Sequence, residues 1–281
     1  MIELNYKPTS PPYDAKHREN LNSLINTFFD DCKITAAIPA GANICINPRE
    51  LDIAVRSAIE TTQIKRIITT EAESRSVQAI LSYIEATGVE IVRVAVDISG
   101  RPNLDEIALH AEKVPAAVML SLAVEQTGAI RDLSSNALLT TPLIVDAEFA
   151  AATAMRLKFD IAAAVAIGKL RDEFERAVTS SISDSLILAA GTDRLPDISN
   201  ICFANTNGEM IAHRLYERGI SVATCSACAD DDSNAVLRSM GIPFAYSMGS
   251  IRSTVPSDIT AAQVKTAAAS FRAVVGELRQ R

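Results

Sequence analysis

The sequence predicts an α/β protein: a large domain with a mainly parallel sheet, then a smaller C-terminal α+β domain. Up to about residue 150, short apolar runs alternate with segments of helical period, the pattern of a parallel sheet with crossover helices. Beyond Phe149 the order changes to long helix, then strands and helices in turn, ending in a helix. The length of 281 residues, 48% hydrophobic, is enough for two ordinary domains.

Each element has its own signal. Residues 17–29, HRENLNSLINTFF, carry helical apolar spacing, and ITAAIPAG (34–41) is a short apolar run ending in small residues. PRELDIAVRSAIETT (48–62) reads as a helix with Pro48 in its first turn, where a missing N–H costs nothing. A strand, KRIITT (65–70), precedes a helix over 74–88 that Gly88 closes. VEIVRVAVD (89–97) is a strand, and NLDEIALHAEK (103–113) a helix with Asn103 as its cap. AAVMLSLA (116–123) and TPLIVDA (141–147) are buried strands. Residues 150–185 form one or two helices. Strands at 198–205, 220–225 and 249–255 then alternate with helices at 208–219, 234–241 and 260–281. The expected division is a large domain over 1–155 and a C-terminal domain over 156–281.

Composition narrows the function. The formal net charge is −7 with no basic block, and tryptophan is absent, so no nucleic-acid surface is expected. No apolar run is long enough to cross a bilayer and the polar, proline-punctuated start does not read as a signal peptide, so no membrane role is expected. Five cysteines in a chain this long do not form a disulfide scaffold, and the expectation is a cytoplasmic protein.

Cys225 and Cys228 are three residues apart. They could ligate a metal, form a redox pair, include a nucleophile, or be two buried thiols. A structural zinc site needs four ligands, and His17, His110 and His213 are not paired at ligand spacing, so no metal is expected. A thioredoxin-like pair belongs in an early βαβ unit, which this is not. Buried, inert thiols are the plainest reading of the pair alone.

Larger patterns point elsewhere. LYERGISVATCSACADDDSNAVLRSMG (215–241), followed by GSIRSTVPSDITAAQV (249–264), resembles the C-terminal domain of the cysteine desulfurases. These are the class V aminotransferase branch of the fold-type-I pyridoxal-phosphate (PLP) transferases. In that family a strand ends in a Ser-Ala-Cys loop, and a short helix and Ser-Ile-Arg follow. Here these are Ser226-Ala227-Cys228 and Ser250-Ile251-Arg252. The resemblance implies that Cys228 stands at the persulfide-carrying nucleophile and Arg252 at the arginine that holds the substrate carboxylate, and it gives Cys225 no role. Such a cysteine must be an accessible thiolate to take and pass on sulfur. Upstream, Thr9-Ser10-Pro11 is similar to the family's Thr-Thr-Pro turn, which puts Thr9 and Ser10 near the substrate. Residues 66–107 and SLAVEQTGAIRDL (121–133) follow the large-domain core. PLIVDAE (142–148) matches the strand whose aspartate pairs with the PLP ring nitrogen, and Asp146 takes that position.

The departures from the family cluster at the cofactor. The Ser-x-His-Lys loop that carries the Schiff-base lysine has no counterpart, because no histidine occurs between His110 and His213. Lys158 and Lys169 are the only lysines between Asp146 and His213, and both lie in segments that read as helical. Ser74 stands where a histidine stacks on the ring. Glu125 replaces the asparagine beside the phenolic oxygen, which would set a carboxylate against an oxyanion. Phe149 replaces a glutamine. The phosphate cradle is reduced to Ala40-Gly41-Ala42-Asn43, whose backbone amides at a helix start could still hold an anion. The resemblance therefore implies a trimmed fold-type-I scaffold in which PLP, the family cofactor, is not expected. The expected role is a degenerate desulfurase homologue, acting as a partner subunit or persulfide acceptor in sulfur transfer and iron–sulfur or thiocofactor assembly. It would form a homodimer, or a heterodimer with a full-length desulfurase-like chain. The alternatives are an active PLP-dependent desulfurase with an unrecognised or borrowed lysine, and a purely structural pseudoenzyme.

Overall fold

The computed structural model describes residues 2–3, 27–28, 42–133, 138, 140–224 and 232–280. The large domain holds a five-stranded, all-parallel sheet. Its strands are β2 (Asn43–Cys45), β3 (Arg66–Thr70), β4 (Glu90–Val94), β5 (Ala116–Ser121) and β6 (Leu143–Asp146), in the spatial order β2-β6-β5-β3-β4. Helices α1 (Pro48–Thr62), α2 (Arg75–Glu85) and α3 (Leu104–Ala111) make the crossovers. Every residue of β3, β5 and β6 is buried, because both sheet faces are covered. Strand alternation sorts the side chains into two cores. Ile67, Ala117, Met119 and Ile144 meet Leu51 and Val55 of α1 and Val77, Leu81 and Ile84 of α2. Ile68, Val118, Leu120, Leu143 and Val145 face the other layer.

That second layer includes α4 (Glu148–Arg156) and the first half of α5 (Ile161–Thr179). The segment expected as one or two helices is two. Lys158 and Phe159 adopt left-handed φ angles of 53° and 55°, which ends the first helix, and the Asp160 carboxylate caps the second by accepting from the Ala162 and Ala163 amides.

The C-terminal domain is built on a four-stranded antiparallel sheet in the order β10-β11-β8-β7. Its strands are β7 (Ser185–Ile187), β8 (Ile198–Phe203), β10 (Ala223–Thr224) and β11 (Ser250–Thr254). Helices α6 (Gly208–Glu217) and α9 (Ala261–Arg279) cover one face together with the second half of α5; α7 (Asp232–Ser239) and the short α8 (Phe244–Ser247) lie between β10 and β11 in sequence. Phe174 of α5 and Phe271 of α9 meet edge to face, ring centroids 5.3 Å apart, over Phe203 of β8.

The C-terminal strands and the short edge strands add to the expected arrangement. The strand expected over 220–225 is two pieces. β9 (Ile220–Ser221) pairs in parallel with β1 (Ile2–Glu3), and β10 pairs with β11. Residues 2–3 therefore pair with the C-terminal half. Helix α5 serves two cores: its Ala164 and Ile167 pack in the large-domain core, Phe174 and Val178 in the other, and Leu195, Ile198 and Val255 join the large-domain core from the C-terminal half. β2 and β7 carry no strand signal strong enough to be expected, being three residues each.

Candidate functional site

In an open parallel sheet the crevice beyond the carboxyl ends of the strands is where ligands bind. Here β3 ends at Thr70, β5 at Ser121 and β6 at Asp146. The residues just past these ends form a buried polar cluster. Glu73 accepts from the Thr70 hydroxyl at 2.6 Å, the Ser121 amide at 2.8 Å, the Ser121 hydroxyl at 2.6 Å and Arg131 Nη1 at 2.7 Å. Arg131, 1% exposed, also donates to the carbonyls of Gly100, Ser121 and Ala72. A pair this deeply buried persists only when its remaining donors and acceptors are satisfied. Sequence reasoning passed over Arg131. The signal was a lone arginine in the run AIRDL, together with a glutamate one turn beyond β3.

Asp146 adjoins this cluster. Its Oδ1 accepts from the Glu148 amide at 3.0 Å, and its Oδ2 from the hydroxyls of Ser74 at 3.3 Å and Ser121 at 3.4 Å. Burial pushes its carboxyl up to about 6, and nearby Glu73 pushes the same way against the amide and hydroxyl bonds. Ser74 has two tasks: it caps α2 by accepting from the Val77 amide, and it donates to Asp146. The position implied for a stacking ring thus serves a carboxylate through a hydroxyl.

Glu125 has a partner across the chain. Its carboxylate pairs with Arg252 of β11: Arg252 Nη1 donates to Glu125 Oε1 at 2.9 Å and to the Glu125 carbonyl at 3.0 Å. The Phe149 ring lies 5.6 Å from the Arg252 guanidinium carbon. The structure therefore brings Glu125, Phe149 and Arg252 together, and Ser74, Ser121 and Asp146 together.

Of the expected phosphate cradle, Ala42 and Asn43 are described, and neither begins a helix. Asn43 is the first residue of β2, paired with Ile144 of β6, and Ala42 directly precedes it. Helix α1 begins five residues after Asn43, at Pro48, because Asn47 caps it by accepting from the Glu50 amide and Pro48 presets the first turn. The Glu50 carboxylate accepts from the Ile46 amide at 3.1 Å, so this N-terminus already holds an anion of its own. Gly41, Thr9, Ser10, Cys225 and Cys228 lie outside the described residues.

The five described lysines are all exposed. Lys65 and Lys113 precede β3 and β5, at the opposite edge of the sheet from Asp146. Lys158 follows α4, about 14 Å of helix from the end of β6. Lys169 lies within α5 and Lys265 within α9. No described lysine stands at the strand ends beside Asp146. Among the described residues there is also no cluster of three or more His, Cys, Asp and Glu able to hold a metal, and no helix long and apolar enough to cross a membrane.

No family model matches the chain. A cysteine desulfurase of Bradyrhizobium diazoefficiens is 32% identical over 117 residues, 41% of this chain and 30% of that protein. The matched stretch thus spans less than a third of that relative's length. A cysteine desulfurase of Azotobacter chroococcum aligns over 82% of this chain and 76% of its own length at 21% identity. Among solved structures, a NifS-like protein superposes with a TM-score of 0.70 at 16% identity, covering 93% of this chain and 90% of that one. These likenesses are to cysteine desulfurases in sequence, over part of the chain, and to a NifS-like protein in fold. The architecture, α/β with a parallel central sheet, is that of the PLP-dependent fold-type-I scaffold.

Proposed function

We propose that this chain is a cysteine desulfurase-like protein that performs no PLP-dependent catalysis of its own. It works as a partner subunit, or as an acceptor that carries sulfur on Cys228. One observation carries the first part: Asp146 is engaged by the Ser74 and Ser121 hydroxyls, and no described lysine stands beside it. A Schiff base needs an amine within covalent reach of the ring that the aspartate would hold. The self-capped start of α1 adds to the misfit, since Glu50 would oppose a phosphate there. The second part rests on the resemblance of Ser226-Ala227-Cys228 to the persulfide loop. In that step the Cys228 thiolate attacks the outer sulfur of a donor persulfide. The donor's S–S bond breaks, the donor leaves as a thiolate, and a new S–S bond forms on Cys228 with no net change in redox state.

A second reading, an active desulfurase that borrows its lysine from another chain, draws on the retention of Asp146 at the end of β6 and of Arg252 on β11. Absorption spectroscopy with added PLP tests the choice. The expected result is no internal-aldimine band and no lysine of this chain trapped by borohydride. A trapped lysine mapped to this chain overturns the proposal. For the sulfur step, incubation with a persulfide donor followed by alkylation and mass spectrometry should mark Cys228 and leave C228S unmarked. Equal labelling of the two leaves only the partner-subunit role.

A further inference from the structure

Arg252 lies on β11, between β10 and β8, and reaches across the crevice to the loop after β5. Both bonds it makes there use Nη1, one to the Glu125 carboxylate and one to the Glu125 carbonyl. The two side chains are 13% and 34% exposed, so the pair sits at the crevice wall and is only partly open to water. The same loop is held at two more points. Asn200 of β8, fully buried, donates Nδ2 to the Gln126 carbonyl at 2.8 Å, and its Oδ1 accepts from Ser250. Gly128, at φ +73°, lies so close to β8 that a Cβ there would be 2.8 Å from the Ile198 Cβ. A left-handed, Cβ-free position is what this approach requires. The Glu125 carboxylate is therefore kept beside Arg252 by its own backbone, not merely by attraction.

We infer that Glu125 is a specificity-determining residue: it is an intramolecular ligand of Arg252 that keeps small carboxylates out of the crevice. An arginine grips a carboxylate best through two parallel N–H donors. With both Nη1 bonds taken by Glu125, the fork formed by Nη1 and Nη2 is closed to a second carboxylate, which is left with the Nε–Nη2 side alone. The guanidinium charge is also already balanced. A tethered carboxylate competes at an effective concentration in the millimolar range or above, which a free amino acid must overcome. The resulting crevice disfavours carboxylate-bearing ligands relative to the same molecules without the carboxylate. None of this depends on whether Cys228 accepts sulfur.

Titration calorimetry on a C228S background tests it, with L-cysteine as the carboxylate probe and cysteamine as the same thiol and amine without the carboxylate. Glu125→Ala should strengthen L-cysteine binding about tenfold or more, with cysteamine unchanged. E125Q, which keeps an acceptor oxygen and drops the charge, should show a smaller gain of the same sign, and it serves if E125A is poorly folded. The gain should vanish in E125A/R252A and E125Q/R252A. Equal affinity of the Glu125 chain and its variants for L-cysteine overturns the inference. So does a gain that survives loss of Arg252 or extends to cysteamine.

Discussion

Asp146 sits in an environment that costs its charged form free energy. Its folded carboxyl titrates at about 6, above the ordinary value of 3.8, mainly because it is buried. The sign of the effect on stability follows. Between about pH 4 and 6 the folded chain binds more protons at this site than the unfolded chain, so stability falls as pH rises through that window. Above about pH 6 the loss is complete, roughly 3 kcal/mol. D146N removes this dependence. Urea unfolding of both chains at about pH 4 and about pH 8 should show the variant gaining on its parent by that order at the higher pH. Parallel profiles would show that the carboxylate is not held in a hostile site. Asp146 itself was legible in the sequence, because PLIVDAE places an acid at the end of a buried strand. Its partners Ser74 and Ser121 were not, since they are 72 and 25 residues away along the chain. The same distance hid the Glu125–Arg252 pair, whose members are 127 residues apart.

Among the elements, those with a strong period or a good cap were readable. Helix α9 is an example: Thr260 accepts from the Gln263 amide and the Gln263 side chain accepts from the Thr260 amide, a capping box visible as T-A-A-Q before the apolar run. T260A should cost about 1 kcal/mol, seen as a lower midpoint in thermal or urea unfolding with the m-value unchanged. A midpoint equal to that of the unaltered chain would mean that packing of Val264, Phe271 and Val275 alone holds the helix start. Elements of three residues were not readable. β2 and β7 exist because β6 and β8 offer them a paired edge, and a short edge strand has no periodicity to detect. The break between α4 and α5 was only partly legible, since Lys158 and Phe159 adopt left-handed angles that neither residue type announces.

At the scale of the whole molecule, the two sheets are tied by a few buried polar contacts as well as by α5. Asp197, 1% exposed, accepts from Thr153 at 3.1 Å and from Arg156 at 2.8 Å and 2.5 Å, joining α4 to the start of β8. Its carbonyl accepts from the Val255 amide beyond β11. D197A should therefore cost about 3 kcal/mol and lower the m-value as the halves begin to unfold apart. A change within about 0.5 kcal/mol, the range of a surface substitution, would show that α5 alone couples them. By itself the sequence determined the alternation of strands and helices, the parallel large-domain sheet, the change of texture after Phe149 and the family resemblance. All of these are written in local periodicity or in contiguous motifs. Only the tertiary structure decided that one helix serves both cores, that residues 2–3 pair with β9, that the Asn43 segment is a strand and that Glu125 answers Arg252. These depend on which distant residues meet, and a chain records its neighbours along the backbone far more plainly than its neighbours across a crevice.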